Sequence, residues 1–286
     1  MCLTQSGSRL TLHDLSFRRE LAEQAVHIAV RRHSELMTKP QMIREKGDRD
    51  LVTAADVEVE ATIRDHLARH DPNTSFVGEE LHSGGGPQEE GWVLDPVDGT
   101  SNLVAGIPLW CISLAFYSGG RPAIGVVCHV PFKEMYCAMV GDGAYVNGTR
   151  LAVSHRLSLQ RAIVGVGDFA TGAAAADANR IRHTFNILAA TEVHRIRMIG
   201  SAALQLAWVA SGRLGAAITF GNTIWDVSAG VVIAREAGAS VFDQDGAEHT
   251  SASRFTFACP PCLKDPFLAL VREAERDGGG IEFPQL

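Results

Sequence analysis

The chain has 286 residues, of which 46% are hydrophobic and 21% are charged, and its net charge is −7 at pH 7. These values lie near globular averages, so we expect one or two domains with a substantial buried core. Nucleic-acid binding is disfavoured because basic residues do not cluster, and the lack of a ~20-residue apolar run or a signal peptide predicts a cytoplasmic protein that enters no membrane.

Apolar periodicity predicts helices first and strands afterwards in the N-terminal part of the chain. Helices are predicted over residues 14–37 and from about residue 56 to 70, with a charged loop at 44–50 between them. The predicted strands are 75–78, 92–94, 111–117, 123–130, 134–140 and 144–151. Turn signals separate the last four strands, which is typical of an antiparallel meander.

Strands and helices alternate in the remainder of the chain. The predicted strands are 163–167, 193–199, 216–220, 240–243 and 255–259. The predicted helices are 177–191, 201–211, 226–237 and 266–276. We therefore predict an α+β half over residues 1–155 and an α/β half over residues 156–286.

Four acidic residues lie where predicted strands end or a predicted helix begins. They are Glu79, Asp95, Asp98 and Asp226. Any one of them alone is more commonly a helix cap or a loop charge. Together they supply the hard carboxylate oxygens that Mg²⁺ prefers, at positions where side chains from different elements can converge.

Two small residues follow Asp98 in the run W-V-L-D-P-V-D-G-T-S-N. Gly99 and Thr100 offer backbone N–H groups at the start of a predicted turn. Such groups beside a carboxylate-held cation are suited to bind a phosphate. The run therefore predicts a magnesium-dependent phosphatase.

Other short motifs favour structural roles. Cys259 and Cys262 form a C-x-x-C pair, but no second pair or paired histidine lies near it, as a zinc site requires. The D-x-D spacing of Asp243 and Asp245 lies in a turn-forming context. Gly165-x-Gly167 lacks a third glycine at the position that a dinucleotide-binding loop needs.

Two longer segments resemble the signatures of the inositol monophosphatase family, within the lithium-sensitive, magnesium-dependent phosphatases. They are W-V-L-D-P-V-D-G-T-S-N-L at Trp92–Leu103 and W-D-V-S-A-G-V-V-I-A-R-E-A-G-A at Trp225–Ala239. Shorter matches occur at Asp50–Asp56, Gly78–Glu80 and Gly200–Ala203, and the likeness runs from about residue 14 to 275. The resemblance implies a layered αβαβα sandwich shared with fructose-1,6-bisphosphatase, an active site between the two halves and a homodimer.

The resemblance also implies a metal-ligand set. Glu79 and Asp95 would hold one Mg²⁺ together with the backbone carbonyl of Val97, and Asp95 would bridge to a second ion held by Asp98 and Asp226. Glu79 would help to anchor a third ion. Two to three Mg²⁺ ions per site follow, with Mn²⁺ as a substitute.

Further residues receive roles from the same resemblance. Gly99 and Thr100 would bind the phosphate, and Thr100, supported by Asp56, would position the attacking water. Lys46 would lie on a mobile loop that closes over the metals. The substrate would contact Ala202, with Asp98, Thr219 and Asp226 also at the binding site.

The implied reaction is hydrolysis of a small polyol phosphate by a metal-activated water, with inositol 1-phosphate as the expected substrate. Thr219 stands where many family members have a glutamate that binds an inositol hydroxyl. Histidinol phosphate, fructose 1,6-bisphosphate and phosphoadenosine phosphate therefore remain alternative substrates. A non-catalytic regulatory scaffold is the alternative of a different class, and the presence of all the metal-binding acids favours the enzyme.

Overall fold

The computed structural model describes residues 10–38, 43–47, 50–81, 89–172, 175–221 and 223–278. Its helices are α1 (Leu12–Leu36), α2 (Ala54–His70), α3 (Thr100–Ala105), α4 (Ala175–Glu192), α5 (Ala202–Ala210), α6 (Ile224–Glu236) and α7 (Lys264–Gly278). Its strands are β1 (Ile43–Gly47), β2 (Asp50–Thr53), β3 (Ser75–Gly78), β4 (Gly91–Asp98), β5 (Cys111–Ser118), β6 (Arg121–His129), β7 (Glu134–Met139), β8 (Gly143–Val146), β9 (Thr149–Arg150), β10 (Ile163–Val166), β11 (Arg195–Met198), β12 (Ala216–Phe220), β13 (Ser240–Phe242) and β14 (Phe255–Cys259).

Most strands belong to two β-sheets. The first has the order β3-β4-β5-β6-β7-β8-β9, in which β3 is parallel to β4 and the later neighbours are antiparallel. The antiparallel part contains the meander predicted over 111–151 and also β4. The second has the order β11-β10-β12-β14-β13, in which β10 is parallel to both of its neighbours. Strands β1 and β2 form a separate hairpin.

Helices fill the space on and between these sheets. Helices α1 and α2 pack on one face of the first sheet, and α5 and α6 lie between the two sheets. Helices α4 and α7 cover the outer face of the second sheet. The predicted αβαβα sandwich is therefore confirmed. Among the described helices, none has both the length and the apolar composition needed to cross a bilayer.

Strand β4 is the central element of the first half. All eight of its residues are buried, because α2 covers one face of the sheet and α6 the other. Asp95 pairs with Ser113 and Asp98 pairs with Cys111, so β4 has one residue more than β5 between these pairs, as at a β-bulge. We predicted that the strand ends at Leu94, and this was wrong, since it continues through Asp98.

Two local predictions were wrong, and one short helix was not predicted. The predicted charged loop at 44–50 lies largely in the β1–β2 hairpin, because backbone pairing there does not require apolar alternation. Lys46 is in β1, and its side chain lies outside the described residues. The single strand predicted over 144–151 is divided into β8 and β9, since Asn147 and Gly148 adopt positive φ angles of 47° and 78°. The short helix α3 was not predicted.

Close backbone packing places α6 against its neighbours. A Cβ on Gly125 of β6 would lie 2.3 Å from the carbonyl oxygen of Ala229 in α6, and one on Gly230 would lie 2.6 Å from Cβ of Leu206 in α5. Side chains at these positions would force α6 outward. Both glycines therefore help to set the position of Asp226, which lies one turn before Ala229.

We expect the substitution Gly125→Ala to lower the free energy of unfolding by about 1–3 kcal/mol, because the added methyl group meets backbone that cannot move without displacing α6. Gly167→Ala is the matched control, since its Cβ would make only an ordinary contact of 3.5 Å with Thr219. Urea unfolding followed by circular dichroism measures both. Equal midpoints for the two variants would contradict the packing argument.

Candidate active site

A cavity of about 230 Å³ opens at the end of β4, opposite the start of α5 and α6. Its walls contain most of the predicted site residues, namely Glu79, Asp95, Val97, Asp98, Gly99, Thr100, Ala202 and Asp226. The remaining lining residues are Ser101, Asn102, Asp168 and Gly200. Residues predicted from distant parts of the sequence therefore meet at one place.

Other predicted residues lie outside these walls. Asp56 is buried beneath Thr100, whose hydroxyl lies 3.0 Å from a carboxylate oxygen of Asp56. Thr219 lies on β12 with its methyl group in contact range of Gly167, and it is absent from the lining.

Asp98 connects the first sheet to α5. Its carboxylate accepts hydrogen bonds of 2.7 Å from the Ser201 hydroxyl and from the backbone N–H of Ala203. The N–H of Ala202 lies 3.3 Å from the other oxygen. Ser201 is also the N-cap of α5 and accepts from Leu204, so the carboxylate lies at the positive end of that helix.

The carboxylates of the cavity oppose one another's ionisation. Burial raises the pKa of Asp95 well above its usual range, and the charges of Glu79, Asp98 and Asp226 raise it further. Burial and the charge of Asp226 raise the pKa of Asp98 to about 7, against the hydrogen bonds from α5. Among the described residues that line the cavity, none is Lys, Arg or His.

This donor set fits a hard divalent cation, which takes carboxylate and carbonyl oxygens and would relieve the repulsion. In the part of the chain that the structure describes, no three His, Cys, Asp or Glu side chains already have the spacing to hold a metal ion. The acids share the walls of one cavity instead.

The backbone conformation at Gly99 leads into a helix start whose N–H groups are suited to a phosphate. Gly99 has φ 101°, and a Cβ there would lie 2.9 Å from the carbonyl oxygen of Leu109, so only glycine fits. Helix α3 begins at Thr100, and no side chain caps it. Its first N–H groups are therefore suited to bind an anion.

The hydroxyl of Thr100 is held by two hydrogen-bond acceptors. It lies 3.0 Å from the backbone carbonyl of Val97 and 3.0 Å from the carboxylate of Asp56. Burial raises the pKa of Asp56, while hydrogen bonds from Thr53 and Thr100 oppose that rise. Because both neighbours accept the hydroxyl proton, the oxygen lone pairs of Thr100 remain available on the cavity side.

Asp56 and Asp226 also serve as helix caps. Each is the third residue of its helix and completes a capping box, with Thr53 in α2 and with Thr223 in α6. The two interpretations that the sequence left open are therefore compatible. The cap fixes the backbone from which each carboxylate projects.

The sequence analysis missed Glu60, which supports the turn carrying Glu79. The Glu60 side chain is fully buried and accepts hydrogen bonds of 2.8 Å and 2.9 Å from the N–H groups of Glu80 and Leu81. A Cβ on Gly78 would lie 2.3 Å from its carboxylate, so glycine is needed there. A charged residue on the apolar face of α2, between Val59 and Ile63, was the available signal.

Asp168 was also missed, although it directly follows a predicted strand as the other acids do. It lies two residues after the end of β10 and lines the cavity.

Comparisons with known proteins agree with this geometry. The model of the inositol monophosphatase family matches residues 14–276. Inositol monophosphatase 1 from Solanum lycopersicum is 36% identical over 256 residues, which make up 86% of this chain and 93% of that protein. A fructose-1,6-bisphosphatase/inositol-1-monophosphatase from Thermotoga maritima is 32% identical over 242 residues, or 83% and 88% of the two chains. The crystal structure of the extragenic suppressor protein suhB from Bartonella henselae matches with a TM-score of 0.81 at 27% identity, covering 89% of this chain and 98% of that one.

The raised pKa of Asp98 predicts a pH dependence of the protein without divalent cations. Its folded-state pKa of about 7 exceeds the unfolded value of about 3.9, so its contribution to stability is present at low pH and lost as the pH rises through about 7. We expect the free energy of unfolding in EDTA to fall between about pH 4 and pH 7, and to fall less in Asp98→Asn. Urea titrations at several pH values measure the slope.

The exposed Asp65 of α2 provides the control, since Asp65→Asn should retain the wild-type slope. Mg²⁺ should restore the stability of the wild type at the upper end of this pH range. A slope for Asp98→Asn equal to that of the wild type would contradict the assignment.

The Glu60 contacts predict an effect on cation affinity. Glu60→Ala removes both acceptors from the turn that carries Glu79, so we expect Mg²⁺ to bind about tenfold more weakly. Glu60→Gln keeps one acceptor and should have a smaller effect. The Mg²⁺ concentration that half-saturates the thermal shift measures both. If Glu60→Ala lowers the melting temperature and leaves that concentration unchanged, Glu60 only stabilises the fold.

Proposed function

Because the chain belongs to the inositol monophosphatase family of metal-dependent phosphatases, which are phosphoric monoester hydrolases, we propose that it hydrolyses the monophosphate of a small polyol with Mg²⁺, and inositol 1-phosphate foremost. The observation that carries this proposal is the meeting of Glu79, Asp95, Asp98 and Asp226 beside the N–H groups of Gly99 and Thr100. Cation ligands and phosphate ligands share one cavity.

Glu79, Asp95, Asp98 and Asp226 would hold two to three ions, with the carbonyl of Val97 as a further ligand. A bound Mg²⁺ or Mn²⁺ supplies an activated water and stabilises the charge of the phosphoryl group. The acids themselves need to be ionised to bind the cation, and the hydrogen bonds from Ser201 and Ala203 favour the ionised form of Asp98.

The remaining residues position the reactants. The N–H groups at Gly99 and Thr100 would bind the phosphate oxygens and orient the phosphorus towards the acids. The Thr100 hydroxyl, held by Asp56 and the carbonyl of Val97, would accept a hydrogen bond from the attacking water. In the proposed reaction water is the nucleophile, so no covalent intermediate with a side chain is required.

The character of the cavity supports a neutral polyol as the leaving group. The described residues of its walls include five acids and no Lys, Arg or His, and these acids would repel a second phosphate on the substrate. This favours inositol 1-phosphate over fructose 1,6-bisphosphate, although the relative from Thermotoga maritima carries both activities in its name. Histidinol phosphate remains the second candidate. A homodimer remains a prediction from the family.

A phosphate-release assay tests the proposal. The purified protein is supplied with Mg²⁺ and with inositol 1-phosphate, histidinol phosphate, fructose 1,6-bisphosphate and phosphoadenosine phosphate. We expect inositol 1-phosphate to have the highest kcat/KM and EDTA to abolish turnover. Release of no phosphate from any of these esters would favour the regulatory scaffold.

Asp95→Asn should lower kcat by at least about a hundredfold, because the substitution removes a charge that two cations would share. The fold should persist, because the charges of neighbouring acids repel the buried Asp95 carboxylate, and removing its charge relieves that repulsion in the metal-free protein. Steady-state kinetics and circular dichroism measure the two effects, with Asp65→Asn as the matched control. Near wild-type turnover in Asp95→Asn would refute the metal assignment.

A further inference from the structure

Asp168 differs in its surroundings from the other acids of the cavity. The pKa of Asp95 responds to the charges of Glu79, Asp98 and Asp226, whereas that of Asp168 is raised by its partial enclosure and lowered by the charge of Arg182. The Asp168 residue is solvent-accessible at the mouth of the cavity. It therefore belongs to the wall that a substrate meets and lies outside the coupled group of acids.

Gly200 lies near both Asp168 and the predicted phosphate-binding turn at Gly99. A Cβ on Gly99 would lie 3.1 Å from the carbonyl oxygen of Gly200, and a Cβ on Gly200 would lie 3.4 Å from a carboxylate oxygen of Asp168. Gly200 is thus a near neighbour of both residues, and all three line the same cavity. An alcohol that extends from a phosphate at Gly99 and Thr100 past Gly200 would meet Asp168.

The segment that carries Asp168 is firmly held. The N–H of Gly167 donates to the carbonyl of Ile218 at 2.8 Å. Two residues beyond Asp168, Ala170 exchanges hydrogen bonds of 2.7 Å and 3.0 Å with the side chain of Asn179 in α4. The backbone that carries the carboxylate is therefore positioned before a substrate arrives, which lowers part of the entropic cost of using it.

Arg182 opposes the rise in the pKa of Asp168 that burial causes, and burial is the larger of the two effects. Arg182 is a buried residue of α4 that donates to the carbonyl of Phe220, and its charge favours the ionised form of Asp168. Within the described residues, no hydrogen-bond donor is found for the Asp168 carboxylate. An ionised carboxylate only accepts hydrogen bonds, so its complement on a ligand is a donor.

The charge of Arg182 weakens the attraction of this carboxylate for a cation. The proposed polyol substrate offers hydroxyl groups, which are neutral donors for an acceptor of this kind. Thr219, where the family resemblance led us to expect the substrate's hydrogen-bond partner, contacts Gly167 and is absent from the cavity lining. Asp168, and not Thr219, is among the residues that line the cavity.

We propose that Asp168 is a specificity-determining residue, which accepts a hydrogen bond from a hydroxyl of the alcohol being released and thereby selects polyol monophosphates. This inference rests on the proposed function. It adds the prediction that esters whose alcohol has no hydroxyl, or has a second phosphate, are poorer substrates because of this one residue.

Kinetics at saturating Mg²⁺ with two substrates tests the inference. The substrates are inositol 1-phosphate and phenyl phosphate, whose leaving group has no further hydroxyl. Asp168→Ala should raise KM for inositol 1-phosphate about tenfold with kcat little changed, and should alter kcat/KM for phenyl phosphate by less than about twofold. Asp168→Asn, which keeps the shape and one acceptor, should have an intermediate effect. The control Asp65→Asn should change neither.

Two further substrates refine the result. Fructose 1,6-bisphosphate should gain relative to inositol 1-phosphate in Asp168→Ala, since a repelling charge is removed. A loss confined to histidinol phosphate would show recognition of an ammonium and would overturn the assignment to a hydroxyl. Equal losses with inositol 1-phosphate and phenyl phosphate, or no loss with either, would also overturn it. If the wild type hydrolyses neither ester, the proposed function itself fails, and this inference fails with it.

Discussion

The site depends on the hydrogen bonds between the Asp98 carboxylate and the start of α5. Asp98 belongs to the first sheet, and Ser201 and Ala203, which donate to it at 2.7 Å, belong to the helix layer between the sheets. The same carboxylate lies beside Asp226 of α6 in a common cavity. One side chain thus links the elements that have to converge, and the helix N-terminus reduces the cost of its burial.

The buried carboxylates of the site repel one another, and packing elsewhere in the fold offsets this repulsion. Burial and like charges raise the pKa values of Asp95 and Asp98, so the metal-free cavity opposes folding near neutral pH. The surrounding layers compensate, because α5 and α6 are packed closely against both sheets around Gly125 and Gly230. A rigid scaffold therefore keeps the acids together until a cation neutralises them.

Asp168 and Glu60 show two ways in which side chains outside the signature segments extend the site. Glu60 acts from within the fold, by holding the turn that presents Glu79. Asp168 lies at the mouth of the cavity, on a segment held by Asn179 and near the charge of Arg182. The first would affect the cations, and the second would affect the alcohol portion of the substrate.

The amino-acid sequence by itself determined six of the seven described helices, most strands and the acids at strand ends, since periodicity and spacing are local properties. The layered fold was expected from the family resemblance. The sequence patterns misplaced the end of β4 and the hairpin at 43–53, where pairing partners rather than side-chain patterns decide the structure. Only the tertiary structure placed Asp168 in the cavity and left Thr219 out of it. The physical reason is that these positions depend on how distant segments pack together, with Gly200 near Asp168 and Gly167 near Thr219.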